Sequence, residues 1–373
     1  MSHASPGRTI LFAGGGTGGH LFPGIALAEE FLRRDPATRV VFAGTSRGLE
    51  ARVIPEIGWP LARLEVFGLV GIHGWRRIKS LASLPRALVQ ALIILVRYRP
   101  SLVVGLGGYA SAPLLLAAMI GGIPFVIQEQ NAFPGVVNRL LAPFADAVFI
   151  AFDEAAGYLK SRRIHNFGNP LRNLADAVEE TSEPLAKSGV DLLVIGGSQG
   201  ARVLNRVVPP AFLELAEKHP GLRIVHQSGV AEYEAVRAAY EAAGDRAEVV
   251  DFINDIGARY AAADLVIARA GALTLAELTA LGKPAILVPF PHAAHDHQSF
   301  NARALVRAGA AEMIPEDGLD SGKLADKLEK LILDGDRRRQ MAAAARSLAR
   351  LGAREKIVDH CLKLLAEKGS KNG

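Results

Sequence analysis

With 373 residues, the chain exceeds the roughly 250–300 residues at which a single core stops growing, so two domains are expected. Half of the residues are hydrophobic, 22% are charged and 38 are glycine, a composition that fits a doubly wound α/β protein better than a β sandwich. The lone cysteine, Cys361, excludes an internal disulfide and a cysteine zinc cage and fits a cytoplasmic protein, while the net charge of +5 points to an anionic partner: nucleic acid, lipid headgroups or a phosphorylated substrate.

Met1 to Arg8 is a short polar start, and the apolar run Thr9–Ala13 meets glycine too soon to be a signal peptide. That run breaks into Gly14-Gly-Gly-Thr-Gly-Gly-His20 and re-forms as a helix; farther on, Leu192–Ile195 does the same through Gly196-Gly-Ser-Gln-Gly-Ala201. Such loops let backbone N–H groups and a helix N-terminus approach an anion with no Cβ in the way. Strand–loop–helix alternation from Thr9 to about Ile150 predicts parallel βαβ units. Gly168-Asn169-Pro170 punctuates the chain, Leu171–Ser188 is irregular and charged, and a second βα series runs from Asp191 to about Ile314. Ser321–Lys371 is helical, with Asp334-Gly335-Asp336 as a turn. Strand, glycine, helix, Gly-x-Pro, strand recurs at Leu102–Gln128 and Leu265–Val288, an echo of duplication.

No stretch is long and apolar enough to span a membrane; Ala112–Ile127 divides at Gly121-Gly122 and Pro124 into a helix and a strand. Leu81, Leu84, Leu88, Leu92 and Leu95 have core-helix spacing. Around them stand Trp75, Arg76, Arg77, Ile78, Lys79, Arg86, Arg97 and Arg99, with no acid between Val66 and Glu129. This apolar–basic patch suits an anionic membrane surface, the alternative being a solvated basic face. With no aromatic stacking series or recognition helix, nucleic acid is not the expected partner.

Gly14-x-Gly16-x-x-Gly19 matches the dinucleotide fingerprint, but the second strand ends in Gly44-Thr-Ser-Arg47, without the acid that would hold a ribose. Neither loop carries the Gly-Lys-Ser/Thr ending of a P-loop. His20, at a loop-to-helix junction, is placed to act as a general base, the alternative being a helix-terminal residue satisfied locally. Glu277 is either a capping-box carboxylate for the neighbourhood of Thr274 or a ribose ligand. His292-Ala-Ala-His295-Asp296-His297 lacks a complementary metal-ligand cluster, so it reads as a polar ligand contact centred on Gln298, and Asp334-Gly-Asp336 as a solvated turn. No metal site and no cofactor are expected.

Taken in order, Ala13–His20 with Phe22-Pro-Gly24, Gly107–Ser111, Gln128–Asn131, Gly168–Arg172, Gly196–Ala201 and Ala270–Glu277 closely resemble the MurG family of bacterial UDP-N-acetylglucosamine:lipid I N-acetylglucosaminyltransferases. The resemblance runs from Thr9 to about Ala311. It implies a GT-B fold, two Rossmann-like domains facing a cleft: residues 1–169 on the acceptor and membrane side, 170–350 binding the UDP-sugar, and a final helix within 351–373 packing back on the first domain. It implies that Ser198 and the Gly196–Gly200 loop hold the diphosphate with Arg172, that the backbone of Ile253 meets uracil, and that Ala272, Leu273, Thr274, Leu275, Ala276 and Glu277 line the donor site with Glu277 on the ribose. Gln298 would hold sugar hydroxyls, and Thr17, Gly18, Gly19 and Asn131 would close the site. His295-Asp296 stands where many relatives show Asp-Asn, which weakens the assignment of sugar contacts there.

The resemblance further implies an inverting, metal-independent transfer from UDP-N-acetylglucosamine to the 4-hydroxyl of the muramyl sugar, with His20 as base, in peptidoglycan synthesis and hence cell shape and division. Lipid I, an anionic membrane surface and cell-wall synthesis proteins are the implied partners. Attachment is expected to be peripheral, at the cytoplasmic face of the cell membrane, through Trp75, Arg76, Arg77, Ile78, Lys79 and Arg86. Other sugar-nucleotide transferases or epimerases, or a non-catalytic sugar-nucleotide-binding scaffold, are the competing readings.

Overall fold

A computed structural model describes residues 7–46, 48–65, 84–171, 189–197 and 200–370. They form two compact units, Met1–Arg172 with Leu351–Gly373, and Asn173–Arg350.

The first unit alternates β1 (Thr9–Gly14), α1 (Gly18–Arg34), β2 (Arg39–Gly44), α2 (Glu50–Glu56), β3 (Leu61–Arg63), α3 (Leu84–Tyr98), β4 (Leu102–Gly107), α4 (Ser111–Ile120), β5 (Phe125–Glu129), α5 (Val136–Leu141), β6 (Ala147–Ile150) and β7 (Ile164–Asn166). The strands form one parallel sheet in the order β3-β2-β1-β4-β5-β6-β7. The inner strands β1, β4 and β6, buried on both faces, read as continuous apolar runs rather than alternating ones. Ile10 and Phe12 of β1 pack on one face with Leu21 and Ile25 of α1, whereas Leu11 and Ala13 pack on the other with Ala91 and Leu95 of α3 and Leu114 of α4.

The second unit contains β8 (Asp191–Ile195), α6 (Arg202–Lys218), β9 (Arg223–Gln227), α7 (Tyr233–Ala239), β10 (Ala247–Val250), α8 (Ile256–Ala262), β11 (Leu265–Ala268), α9 (Ala272–Leu281), β12 (Ala285–Leu287), α10 (His297–Arg307), β13 (Ala311–Met313), α11 (Ser321–Leu333) and α12 (Gly335–Ser347). Its parallel sheet runs β10-β9-β8-β11-β12-β13. Counted from each unit's first strand, both orders begin 3-2-1-4-5, the Rossmann order, in which ligands bind beyond the strand ends where the winding reverses. That point lies between β1 and β4 in one unit and β8 and β11 in the other, and each glycine loop leaves its sheet there.

The sequence echo falls on equivalent elements, β4–α4–β5 and β11–α9–β12. Each helix is followed by a left-handed glycine, Gly122 at φ 66° and Gly282 at φ 60°, which stops the helix before the Gly-x-Pro proline. The last helix, α13 (Ala353–Gly369), belongs to the first unit. Its Ile357, Val358 and Cys361 are buried with Ile10 and Phe12, and burial pushes the Cys361 thiol above its ordinary range. Arg34–Asp359 at 2.9 Å and Lys368–Asp146 at 2.7 Å tie it down at its middle and its C-terminal end.

The leucine spacing in α3 needs correction. The buried stripe is Ala87, Ala91, Ile94 and Leu95, with Leu88 and Leu92 at its margin; Leu81 and the Leu84 side chain lie outside the described residues. The opposite face is apolar yet exposed, with Val89 at 55%, Ile93 at 60% and Val96 at 72%. No described helix is long and apolar enough to cross a membrane.

Candidate functional site

In the first unit, Gly14, Gly15 and Gly16 have φ values of 141°, 154° and 93°. A Cβ on Gly14 would lie 2.5 Å from the Gly107 carbonyl oxygen, and one on Gly15 2.4 Å from the Glu50 carboxylate carbon, so glycine is required by close approach as well as by φ. Glu50, fully buried at the start of α2, accepts hydrogen bonds from Gly16 N–H at 2.7 Å, Thr45 N–H at 2.9 Å and the Thr45 hydroxyl at 3.0 Å. The Glu50 carboxylate therefore already takes one N–H of this loop, that of Gly16. Arg47 lies outside the described residues.

Past the loop, Thr17 is the N-cap of α1, exposed and making no side-chain cap bond. Gly18 and Gly19 form the first turn, and His20 follows, half-buried. A Cβ on Gly107 would sit 3.1 Å from His20 Cε1 and 3.3 Å from its Nδ1, so the imidazole lies against a shelf that only glycine leaves open. His20 Nδ1 is 3.0 Å from Gln130 Oε1. Its Nε2 has no partner among the described residues. Beside Gln130, the buried Glu129 carboxylate accepts from Asn131 N–H at 3.0 Å, Asn131 Nδ2 at 3.3 Å, Gly135 N–H at 3.0 Å and Asn138 Nδ2 at 2.8 Å. Thr17, Gly18, Gly19, His20 and Asn131 thus all stand at the β1 and β5 ends of one sheet, and Glu129 fixes the orientation of Asn131.

In the second unit, Gly200 at φ 75° carries no Cβ because one would lie 1.9 Å from the Ser228 carbonyl oxygen. Gln227 Nε2 donates to the Gly197 carbonyl at 2.8 Å. Beneath this turn Asn205 Nδ2 donates to the Ser228 carbonyl at 2.9 Å, and its Oδ1 is 3.1 Å from Nε2 of the buried His226, whose Nδ1 meets the Tyr240 hydroxyl at 2.9 Å. Burial brings the His226 pKa down to about 3, so its ring is a neutral part of the scaffold beneath the loop, to which Asn205 also ties the Glu232 carboxylate at 2.6 Å. Ser198 and Arg172 lie outside the described residues.

Ile253 is buried just beyond β10, with no partner for its own N–H or C=O among the described residues. Gly271 is the N-cap of α9, so Ala272, Leu273 and Thr274 form the first turn, with Leu275, Ala276 and Glu277 following. Thr274 is therefore not a cap, and the capping-box alternative for Glu277 is corrected: Glu277 Oε2 instead accepts from the Tyr260 hydroxyl at 2.9 Å. Burial raises the Glu277 pKa to about 7, against the opposing effect of the Tyr260 bond, and holds the Tyr260 hydroxyl well above its ordinary range. Arg269, at the end of β11, is paired with Glu316 at 2.6 Å and donates to the Val288 carbonyl at 3.1 Å.

Gln298 Oε1 accepts from Phe290 N–H at 2.9 Å, so the side chain spans the loop after β12. His295 and Asp296 have φ values of 54° and 55°, and Asp296 accepts from the Ser299 hydroxyl at 2.6 Å. Among the described residues no group of three or more histidine, cysteine, aspartate or glutamate side chains is arranged to hold a metal ion. Asp334 caps α12 through Arg337 N–H at 2.8 Å, and Asp336 pairs with Arg339, so this Asp-x-Asp is a helix start. Of the apolar–basic patch, Trp75, Arg76, Arg77, Ile78 and Lys79 lie outside the described residues; Arg86 is exposed and 2.9 Å from Glu65.

Glu50, Gln130 and Tyr260 were not singled out from sequence. For Gln130 a signal existed in Gln128-Glu-Gln-Asn131, and for Glu50 in the glycines at 44 and 48 that surround its carboxylate. Nothing marked Tyr260.

Residues 10–150 match the N-terminal domain of glycosyltransferase family 28 and residues 191–359 its C-terminal domain. The UDP-N-acetylglucosamine--N-acetylmuramyl-(pentapeptide) pyrophosphoryl-undecaprenol N-acetylglucosamine transferase of Myxococcus xanthus is 46% identical, the match covering 98% of this chain and 95% of that protein. The transferase of the same name from an Anaeromyxobacter species is 48% identical over 98% and 96% of the two chains. The crystal structure of Acinetobacter baumannii MurG superposes with a TM-score of 0.78 at 30% identity, covering 95% of this chain and 99% of that one. A UDP complex of Staphylococcus aureus MnaA, with a TM-score of 0.65 at 17% identity over 96% and 97% of the chains, shares the fold alone. Matches to both domains of one family, and identities of 46–48% over nearly the whole chain, place it in a single family: it belongs to the MurG transferases of glycosyltransferase family 28.

Proposed function

We propose that this chain transfers N-acetylglucosamine from UDP-N-acetylglucosamine to the 4-hydroxyl of the muramyl sugar of lipid I, with inversion, giving lipid II. The observation that carries this is the identity of 46% over 98% of the chain to a transferase of that name, with His20 and the glycine loops inside the matched segments. The acceptor oxygen bonds to the anomeric carbon as the bond to the diphosphate oxygen breaks. The proton goes to His20 Nε2, and UDP leaves carrying the new charge. N–H donors of the Gly196–Gly200 loop and the α6 N-terminus stabilise that charge, assisted by Ser198 and Arg172. Thr17, Gly18, Gly19 and Asn131 are the first unit's contacts to UDP-N-acetylglucosamine, and Gln298 takes sugar hydroxyls through its amide. Incubation with UDP-N-acetylglucosamine and a lipid I analogue should release UDP only when both are present; release without acceptor, or conversion of the sugar nucleotide to its epimer, would assign a different reaction.

The uracil edge is read by the main chain of Ile253, whose N–H and C=O have no other partner among the described residues. A site built to satisfy one base edge rejects another by leaving buried polar groups unpaired. UDP should therefore inhibit competitively at concentrations where ADP and GDP do not, and equal inhibition by ADP would remove this assignment.

The acceptor is a polyprenyl-linked lipid, so the enzyme works at the bilayer surface as a peripheral protein of the cytoplasmic face. The exposed Val89, Ile93 and Val96 face of α3 supports this, as does the acid-free basic run that precedes it. At about 1 kcal/mol per basic residue, Arg76→Ala/Arg77→Ala should weaken sedimentation with anionic vesicles by roughly 30-fold. Turnover of a soluble acceptor analogue should be retained, and added salt should weaken the unaltered protein's binding. Equal sedimentation of variant and parent would return these residues to a solvated face.

A further inference from the structure

Gln130 is buried, and its amide nitrogen donates to two main-chain carbonyls, Leu106 O at 3.1 Å and Gln128 O at 3.2 Å. The opposite rotamer of the amide would turn its oxygen against both carbonyl oxygens, so the group has one orientation. The Gln130 backbone is held as well, since Asn169 Nδ2 donates to its carbonyl at 3.2 Å. The oxygen of this fixed amide stands 3.0 Å from His20 Nδ1. An amide oxygen only accepts, so Nδ1 must carry the proton, and a neutral imidazole then has its lone pair on Nε2. The ring is held from the side by the Gly107–Gly108 shelf, where a Cβ on Gly108 would come within 3.8 Å of Cδ2.

We propose that Gln130 is a positioning residue for the transfer: it holds His20 in the Nδ1–H tautomer, so that Nε2 is the basic atom. This rests on His20 being the base. Gln130 differs from a carboxylate partner in that it selects the tautomer without offering a negative charge to the imidazolium. It stabilises the orientation of the ring more than the protonated product, and the protonated ring can then release its proton once UDP has left.

The tautomer is read directly from the 15N shifts of the two ring nitrogens in the full chain labelled at histidine, with His20→Ala identifying the signal. The unaltered protein should show a protonated Nδ1 and an unprotonated Nε2 for His20 at neutral pH. Gln130→Met, which keeps the length and apolar volume but has no acceptor, should move His20 toward the Nε2–H form. Its kcat should fall roughly 10- to 100-fold, the scale of one lost hydrogen bond, with the KM for UDP-N-acetylglucosamine and UDP binding by calorimetry unchanged. An Nε2–H tautomer in the unaltered protein overturns the proposal whether or not the variant folds, as does an unshifted His20 signal in a folded Gln130→Met. If His20→Ala retains activity, the base assignment fails, and the 15N shifts still decide whether Gln130 sets the tautomer.

Discussion

His20→Ala should lower kcat by about 10²–10⁴-fold, the range over which a positioned general base acts, while leaving the affinity for UDP-N-acetylglucosamine nearly unchanged. The split follows from timing: in the proposed role the imidazole takes the acceptor proton only as the new bond forms, so its loss would be felt in the transition state and not in donor binding. The groups proposed to bind the donor, Ile253, α9 and the Gly196–Gly200 loop, belong to the other unit. The substitution should also cost little stability. The half-buried side chain bonds Gln130 alone among the described residues, and alanine fits wherever histidine does in a first helical turn. Steady-state kinetics with a soluble acceptor analogue, alongside UDP calorimetry, check both parts. Activity within a few-fold of the parent would remove His20 from the mechanism, and a parallel loss of UDP affinity would mean that the change disturbs the donor site.

What the sequence made legible is what local chemistry determines. A glycine run between an apolar strand and a helix is recognisable because close approach and positive φ exclude every side chain, and both switch-point loops lie where that pattern put them. The Gly-x-Pro echo was readable because left-handed glycines end helices in any context. Long-range partners were not legible. Glu50 reaches Gly16 across 34 positions and Gln130 reaches His20 across 110; no periodicity encodes such pairings, which arise only when β1 lies beside β2 for the first and in one sheet with β4 and β5 for the second. The α3 stripe misled for a related reason. Alanine at 87 and 91 lets α3 approach α4 and the sheet closely, so the small residues were buried and the bulkier Val89, Ile93 and Val96 face outward. Glu277 shows the same limit in reverse: its position beside Thr274 suggested a cap, and Tyr260 from another helix took the carboxylate.

If Glu277 binds the ribose equally in ground and transition states, Glu277→Ala should raise the KM for UDP-N-acetylglucosamine roughly 10- to 150-fold with a smaller effect on kcat, because hydrogen bonds to a charged acceptor contribute about 1.5–3 kcal/mol. The Tyr260 hydroxyl occupies Oε2, which leaves Oε1 and the remaining lone pairs for the two ribose hydroxyls. Only the ionised carboxylate can accept from all three, and burial sets its pKa at about 7. UDP affinity should accordingly rise with pH through about 7 and become flat above it, and Glu277→Ala should abolish that dependence. Stability runs the other way. Because the folded pKa is raised from 4.5 to about 7, the stabilisation of the protonated form is complete below pH 4.5 and is lost as pH rises through 7. Glu277→Gln, neutral and still able to accept from Tyr260, should therefore melt higher than the parent at pH 8 without UDP, and lose that advantage when saturating UDP binds the parent more tightly. Calorimetric UDP titrations from pH 5.5 to 8.5 and melting curves with and without UDP measure both arms. A pH-independent UDP affinity in the parent, or a Glu277→Gln variant that melts lower than the parent at pH 8, would contradict a half-buried carboxylate poised to take the ribose.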